Sequence, residues 1–132
     1  VVSCVGSALN QDRKSINGSR VLVLGLSYKP DIGDCRESPS FSIIDQLRKL
    51  GARVEYSDPH VSRAPKMRKH NLRLESVNLD AETVASYDAL VISTNHTSFD
   101  YELFAEHAKL IIDTRNAMAP YRDRIKGRLE HA

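Results

Sequence analysis

Apolar and polar positions along the chain alternate between strand-like and helix-like patterns. Two nearly unbroken apolar runs, rich in β-branched residues, occur at Arg20–Leu26 and Ala89–Thr94. Such runs are typical of strands that are buried on both faces of a parallel sheet. Shorter runs predict a strand over Arg53–Ser57 and a last strand over Leu110–Asp113.

Helical spacing and helix-end signals occupy the intervals between these strands. Ser38 and Pro39 supply an N-cap and a first-turn proline, and the apolar residues that follow recur at helical spacing. Gly51 then ends this helix, as a glycine just past a helix C-terminus commonly does. The other helical segments predicted from the spacing are Val1–Asn10, Leu79–Ser86, Asp100–His107 and a terminal turn over Tyr121–Lys126.

The alternation of strands and helices predicts an α/β fold. Its form is an open parallel, Rossmann-like sheet with helices on both faces, in three layers. In sheets of this kind ligands bind beyond the carboxyl ends of the strands. The loops that follow Leu26, Ser57, Thr94 and Asp113 are therefore the candidate binding loops.

Composition excludes several classes of protein. The 132 residues are enough for one domain, and a net charge of +2 argues against a nucleic-acid partner. No apolar run has membrane length, and the basic stretch Val61–Arg73 is interpreted as a solvated surface loop. Cys4 and Cys35 are far apart and lack metal-site spacing, so we expect no disulfide, no metal site and a cytoplasmic location.

The loop after the first strand carries the densest charge. It has one glycine, Gly25, where a dinucleotide cradle needs the GxGxxG pattern, so a pyrophosphate cradle is not predicted. Lys29 offers a mobile cation to a phosphate or carboxylate, and Tyr28 lies next to it. Arg36 offers a planar fork just before a helix N-terminus. The alternative is internal ion pairing with the acidic residues of the loop, which are Asp31, Asp34 and Glu37.

Two further loops offer polar groups at the same edge. Arg115 follows the last predicted strand, and Asp113 is expected either to hold its guanidinium or to cap a turn. The segment Thr94–Thr97 supplies hydroxyl and amide groups that suit recognition of a ribose or a base. Within it, His96 is interpreted as a surface histidine rather than a general base, because no carboxylate is near in sequence.

The remaining reactive side chains do not form a catalytic group. Cys35 lies in the charged loop, where Lys29 and Arg36 are expected to lower its pKa, but no histidine motif accompanies it. Asp58 stands where some dinucleotide folds place a ribose-binding acid, and it is interpreted as an ordinary turn opener. The sequence therefore predicts a binding domain without chemistry of its own.

Four blocks of the sequence, in order, resemble those of a known family. They read VLVLGLSYKPDIGDCRESPS, GARVEYSDPHV, ALVISTNHTSFDYELF and LIIDTRNAM. The chain resembles, over about residues 1–120, the C-terminal UDP-binding domain of the UDP-glucose/GDP-mannose dehydrogenase family. The sequence of these blocks is most similar to that of members that oxidise UDP-N-acetylhexosamines, such as UDP-N-acetylglucosamine 6-dehydrogenases.

This resemblance implies an enzyme that is larger than the present chain. Family members join an N-terminal NAD-binding domain, a central helical dimerisation region and this C-terminal domain. They oxidise the C6 alcohol of a UDP-sugar to a carboxylate in two NAD-dependent steps, through a thiol-linked intermediate. The catalytic cysteine lies upstream, so neither Cys4 nor Cys35 inherits its role, no catalytic residue is expected here, and the chain alone is expected to be inactive.

The resemblance also assigns roles to individual residues. Tyr28, Lys29 and Arg115 match positions that contact the UDP-sugar, and Arg36 matches an arginine that reaches the NAD bound mainly by the N-terminal domain. Residues 1–19 then correspond to the end of the inter-domain linker helix and its connector, and residues 20–132 to the UDP-sugar-binding domain. The implied partners are the UDP-sugar, the other domains of the same protein and further copies of it in a homo-oligomer.

Two other interpretations remain open at this point. The first is a stand-alone flavodoxin-like module that binds nucleotides or regulates without catalysis. We expect such a module to begin at an initiator Met, whereas this chain begins at Val1 with helical spacing, as a piece of a longer protein would. The second is a complete NAD-binding dehydrogenase domain, which the missing GxGxxG pattern disfavours.

Overall fold

The computed structural model describes all 132 residues. It contains one five-stranded sheet in which every pair of neighbouring strands is parallel, in the order β2-β1-β3-β4-β5. In chain order the elements are α1 (Val2–Gln11), β1 (Arg20–Leu24), α2 (Pro39–Lys49), β2 (Arg53–Ser57), α3 (Ala81–Ala85), β3 (Ala89–Ile92), α4 (Tyr101–His107), β4 (Leu110–Asp113), a 3₁₀ helix (Ala119–Arg124) and β5 (Arg128–His131).

The strands are apolar because both faces of the sheet are covered. On β1, Val21 and Val23 pack on the side of α1 and α2, whereas Leu22 and Leu24 pack on the side of α3 and α4. Burying an aliphatic side chain of this size contributes about 1.5–3 kcal/mol. The predicted three-layer α/β architecture is therefore confirmed, and α1 is part of it because its Val5 is fully buried in the first cluster.

The last strand is an element that the sequence pattern did not show. Leu110–Asp113 was expected to be the last strand, and this prediction was wrong because β5 pairs with β4 from Leu110 opposite Arg128 to Asp113 opposite His131. The sequence of β5 is RLEH, which has no apolar run, and none of its residues is fully buried. Short, charged strands are common at sheet edges, where only one side needs a partner.

Local signals set the ends of α2 as predicted. The Ser38 hydroxyl accepts a hydrogen bond from the Ser40 amide, and Pro39 is the first residue of α2. The helix ends at Lys49, and Gly51 follows with φ of +93°. None of the helices is both long and apolar enough to cross a membrane.

The basic segment Val61–Arg73 is irregular, as predicted. It contains no helix or strand and makes one isolated antiparallel bridge, from Arg63 to Glu75. Val61 and Leu72 are buried and fasten the segment to the first core cluster. Its lysine and arginine side chains stay exposed, at Arg63, Lys66, Arg68, Lys69 and Arg73.

Gly25 brings the loops after β1 and β3 into close contact. Its φ is +91°, and a Cβ atom there would lie 2.4 Å from the Cβ atom of Thr94 and 2.6 Å from the Thr94 carbonyl oxygen. The chain leaves β1 toward α2 on one face and leaves β3 toward α4 on the other. This divergence is the switch point at which open α/β sheets bind ligands.

Gly25→Ala tests the close approach, with Gly18→Ala as its matched control. Gly18 has φ of +84° but no atom within 4 Å of an added Cβ, so its substitution costs only the backbone strain, about 1–2 kcal/mol. We expect Gly25→Ala to lose a further 1–3 kcal/mol, roughly, from overpacking against Thr94. Urea unfolding of both variants measures the difference. Equal losses would show that the loops can separate without cost.

Candidate functional site

A buried carboxylate ties the loops at the carboxyl edge together. Asp58 follows β2 and is 2% exposed. Its Oδ2 atom accepts hydrogen bonds from the amides of Leu26 at 2.7 Å and Ser27 at 3.0 Å, and from His96 Nε2 at 2.8 Å. Its Oδ1 atom accepts one from the His60 amide at 2.8 Å. Asp58 therefore joins the loops after β1, β2 and β3.

The Asp58 carboxylate keeps its charge despite its burial. Burial by itself raises the pKa of this carboxyl, but the hydrogen bonds from His96 and from the amides of His60, Leu26 and Ser27 outweigh it and hold the pKa below its ordinary value. The interpretation of Asp58 as a turn opener is correct for its contact with His60. It is incomplete, because the same side chain also anchors two other loops.

The prediction for His96 was wrong. A surface position was expected, but its side chain is fully buried. Nε2 lies 2.8 Å from Asp58 Oδ2 and 3.1 Å from Ser27 Oγ, and Nδ1 accepts the Asp31 amide at 2.8 Å. The carboxylate partner comes from a loop 38 residues earlier, which sequence proximity could not reveal. With both ring nitrogens engaged, His96 is not placed as a general base.

Asp31 binds the loop after β3 rather than a cation of its own loop. Its carboxylate accepts hydrogen bonds from the Thr97 hydroxyl at 2.6 Å and the Thr97 amide at 2.7 Å. The hydroxyl and then the amide of Thr97 lower the pKa of Asp31. For Asp31, the alternative of internal ion pairing is therefore wrong.

Arg36 does form an internal ion pair. Its Nη2 atom lies 2.8 Å from Asp34 Oδ2, and its Nε atom lies 3.1 Å from Asp34 Oδ1. The bonds from Arg36 lower the pKa of Asp34 to about 2, and Asp34 in turn raises the pKa of Arg36. The Arg36 side chain is nonetheless 84% exposed, so a ligand can reach its guanidinium.

Tyr28 and Lys29 occupy the exposed tip of the same loop. Lys29 makes no ion pair, and its Nζ atom lies 5.7 Å from the centroid of the Tyr28 ring. The backbone beneath these side chains is fixed by two hydrogen bonds: the Tyr28 amide donates to the Asp34 carbonyl at 2.7 Å, and the Ser27 hydroxyl donates to the Lys29 carbonyl at 2.9 Å. The loop thus presents an unpaired cation from an ordered backbone.

Arg115 presents a second cation beyond β4. Asp113 caps the turn, because its carboxylate accepts the Arg115 and Met118 amides, so it does not hold the Arg115 guanidinium. The guanidinium is positioned through Nε, which donates to the Ser93 carbonyl at 3.0 Å, at the end of β3. Its two Nη groups make no hydrogen bond within the domain.

The segment Thr94–Thr97 has fewer free groups than its sequence suggests. The Thr94 hydroxyl donates to the Ser27 carbonyl at 2.7 Å, and the Thr97 hydroxyl donates to Asp31. Since His96 is buried, Asn95 is the one side chain of the four that makes no hydrogen bond within the domain. The segment therefore serves chiefly to hold the first loop.

The site has cations for an anion but no nucleophile. Cys35 is buried, and burial followed by the charges of Asp58 and Asp34 raises the pKa of its thiol to about 11. The expectation that Lys29 and Arg36 lower this pKa was wrong, because both side chains point into solvent while the thiol lies in the core. The thiol therefore stays protonated and unreactive near neutral pH.

Two of the three groups nearest to a metal-binding set are already engaged. Ligand atoms of Asp31, His60 and His96 lie within 4.8 Å of one another. Both Asp31 carboxylate oxygens accept from Thr97, however, and both ring nitrogens of His96 have partners. A metal ion would have to break the contacts that hold the loops together.

The cavity beside Arg36 is small. Tyr28, Asp34, Arg36 and Glu37 line it, its volume is about 260 Å³, and neither Lys29 nor Arg115 is among its lining residues. A larger cavity of about 460 Å³ lies at the same edge of the sheet, beside Asp58 and Phe99. Sites for small molecules usually enclose about 300–1,000 Å³, so the cavity beside Arg36 does not enclose a ligand by itself.

Comparison with known proteins gives a consistent family. The model of the UDP-glucose/GDP-mannose dehydrogenase family, UDP binding domain, matches residues 22–120. The chain is 36% identical over 106 residues to a UDP-glucose 6-dehydrogenase of Rhizobium meliloti, covering 76% of this chain and 24% of the relative. It is 26% identical over 99 residues to a UDP-N-acetyl-D-glucosamine 6-dehydrogenase of Pseudomonas aeruginosa, covering 75% of this chain and 22% of that protein.

Solved structures agree with the sequence comparison. The NDP-N-acetyl-D-galactosaminuronic acid dehydrogenase of Methanosarcina mazei Go1 matches with a TM-score of 0.76 and 29% identity. The match covers 98% of this chain and 27% of that one. The present chain thus spans about a quarter of the length of the relatives it matches.

Asp58→Asn tests whether the buried carboxylate holds the three loops together, and Asp34→Asn is the surface control. Asp58 accepts four hydrogen bonds in the interior, and asparagine keeps only one acceptor oxygen, so the donors left unsatisfied should cost about 2–4 kcal/mol of unfolding free energy. Asp34 is solvent-screened at the surface, so its variant should stay close to the parent chain. Urea unfolding at several pH values measures both, and a loss at Asp58 no larger than that at Asp34 would contradict the anchoring role.

The same experiment has an expected pH dependence. The folded-state pKa of Asp58 lies below its ordinary value, so its stabilisation is fully present above about pH 4 and is lost as the pH falls through the lowered value. The difference in unfolding free energy between the parent chain and Asp58→Asn should therefore shrink in acid. A difference that stays constant from neutral to strongly acidic pH would show that the carboxylate charge is not the cause.

Proposed function

Because the chain belongs to the UDP-glucose/GDP-mannose dehydrogenase family and matches its UDP-binding domain, we propose that it binds the UDP-sugar substrate of an NAD-dependent nucleotide-sugar 6-dehydrogenase. The full protein oxidises the C6 alcohol of a UDP-hexose or UDP-N-acetylhexosamine to a uronate. The observation that carries this proposal is the pair of unpaired cations, Lys29 and Arg115, at the switch-point edge of the sheet.

The proposed division of labour follows from what the chain lacks. Residues 1–19 form the end of the linker helix and its connector, and residues 20–132 form the UDP-sugar-binding domain. The NAD-binding domain, the central region and the nucleophilic cysteine belong to the remainder of a cytoplasmic homo-oligomer. Cys35 is buried and is not placed as a nucleophile, and with the nucleophilic cysteine elsewhere in the protein we expect the 132-residue chain by itself to be inactive.

The two cations have different tasks toward the substrate. Lys29 is a mobile point charge that follows a phosphate or a product carboxylate, whereas the Arg115 guanidinium, held through Nε, offers a fixed fork. Tyr28 lies beside Lys29 and packs along the ligand. Two cations neutralise a pyrophosphate, and a facing domain excludes water, which strengthens each electrostatic contact.

Arg36 is suited to a contact with the cofactor across the cleft. NAD, when bound, supplies the hydride acceptor. This chain has no GxGxxG cradle, so it cannot hold the dinucleotide alone, but Arg36 is exposed and already oriented by Asp34. A fixed, outward-facing guanidinium fits an anionic group that is held by a facing domain.

Titration of UDP into the 132-residue chain, followed by NMR, tests the substrate site. Shift changes should cluster in residues 27–37, 94–97 and 113–116. Lys29→Met should weaken binding by about 10- to 100-fold, the cost of one charge-assisted hydrogen bond. Lys66→Met, in the exposed basic segment, is the matched control and should bind as the parent chain does. Shifts confined to other regions, or equal losses in both variants, would refute the site.

Steady-state kinetics of the full-length dehydrogenase test the role of Arg36. Arg36→Met should raise the KM for NAD by about tenfold while leaving the KM for the UDP-sugar within about twofold. Arg63→Met is the control, because Arg63 is also an exposed arginine paired with an acidic residue, Glu75. A rise in the KM for the UDP-sugar alone would assign Arg36 to the substrate instead of the cofactor.

A further inference from the structure

We propose that His96 is a positioning residue for Lys29: its buried imidazole holds both ends of the segment Tyr28–Pro30, through Ser27 on one side and Asp31 on the other. This inference rests on the proposed function in one respect, which is that Lys29 contacts the substrate. His96 itself lies beneath the loop, fully buried, and touches no ligand.

The hydrogen-bond partners of His96 define its protonation state. Nδ1 accepts the Asp31 amide, which can only donate, so Nδ1 carries no proton. Nε2 then carries the single proton and faces two acceptors, Asp58 Oδ2 at 2.8 Å and Ser27 Oγ at 3.1 Å. Only the neutral ring with its proton on Nε2 satisfies every partner.

These contacts reach Lys29 by two routes. On the first, Ser27 Oγ accepts from His96 and donates its own proton to the Lys29 carbonyl at 2.9 Å. On the second, the Asp31 amide is bound to Nδ1 two residues beyond Lys29. Tyr28, Lys29 and Pro30 between these two points are all exposed, so no core packing fixes their position.

The second route holds a backbone conformation that is unfavourable by itself. Asp31 has φ of +65°, a left-handed conformation that costs free energy in residues other than glycine, although aspartate tolerates it better than most. His96 fixes the Asp31 amide, and Thr97 fixes both oxygens of its carboxylate. Without His96 the backbone can relax from this conformation, and the direction of the Lys29 side chain changes with it.

A charged ring would break the second route. A proton on Nδ1 would face the Asp31 N–H at 2.8 Å, donor against donor. The titratable groups around His96 are Asp58 and His60 from the loop after β2, Asp31 from the loop after β1, and Tyr101 of α4, whose hydroxyl donates to the His96 carbonyl. The positioning of Lys29 therefore depends on a neutral His96.

Kinetics of the full-length dehydrogenase with two His96 variants test this role. His96→Phe keeps the ring packing against His60 and Phe99 but removes both routes. His96→Asn places an amide oxygen near the Nδ1 position and keeps the contact with Asp31. We expect the KM for the UDP-sugar to rise about tenfold in His96→Phe and less in His96→Asn, with kcat less affected in both. Should His96→Phe fail to fold, His96→Asn carries the test.

A double-mutant cycle with Lys29→Met separates positioning from general loss of structure. In the Lys29→Met background, His96→Phe or His96→Asn should change the KM by less than about twofold, because the side chain that His96 positions is gone. Equal effects of the His96 variants with and without Lys29 would overturn the inference. Thermal unfolding of the same proteins provides a comparison, since a purely structural residue would lower Tm without coupling to Lys29.

A failure of the proposed function is distinguishable from a failure of this inference. If the parent enzyme does not oxidise any UDP-sugar, or if Lys29→Met leaves the KM unchanged, the proposed function fails instead.

Discussion

The arrangement of the site depends on one buried anion. The Asp58 carboxylate collects donors from Leu26, Ser27, His60 and His96, and so closes three loops around a single charge. A charge in the interior is unfavourable unless hydrogen-bond donors surround it. Removing these donors would lower the unfolding free energy by roughly several kcal/mol. The loops therefore keep their mutual positions even though they contain little regular structure.

Around this anchor, the charged side chains fall into two groups. Asp31 and Asp34 already have partners within the domain: Asp31 accepts hydrogen bonds from Thr97, and Asp34 pairs with Arg36. Lys29 and the Nη groups of Arg115 are left without partners, on backbone that those same contacts hold in place. Acidic residues thus shape the site, and basic residues remain available to an anionic ligand. This division explains how a chain with a net charge of only +2 can offer a cationic surface.

The shape of the site fits a domain that works against a second one. The cavity of about 260 Å³ beside Arg36 is too small to enclose a nucleotide-sugar, Lys29 and Arg115 lie outside it, and Cys35 nearby is buried. The chain spans about a quarter of its relatives, so the facing wall and the reacting groups belong to the rest of the protein in the proposed function. The Asp58 contacts then have a physical purpose. A domain that closes on a ligand must keep its cations, Lys29 and Arg115, at fixed positions relative to one another.

The sequence by itself determined the elements whose signals are local. The apolar runs predicted β1 to β4, and Ser38, Pro39 and Gly51 marked the ends of α2, because capping and burial on both faces act within a few residues. The loop after the first strand likewise supplied Tyr28, Lys29 and Arg36, and the loop after Asp113 supplied Arg115. All four lie at the predicted edge of the sheet, and their ligand contacts remain predictions.

Only the tertiary structure decided the features that depend on distant partners. Three such features are the contact of His96 with Asp58, the raised pKa of the Cys35 thiol and the pairing of β5 with β4. Each depends on residues from separate segments, so no local sequence pattern indicates it. A histidine in a polar loop is expected to be exposed, and only the tertiary structure places the buried carboxylate of another loop beside it. Long-range burial, rather than residue type, therefore decided which polar side chains support the site and which remain free to bind.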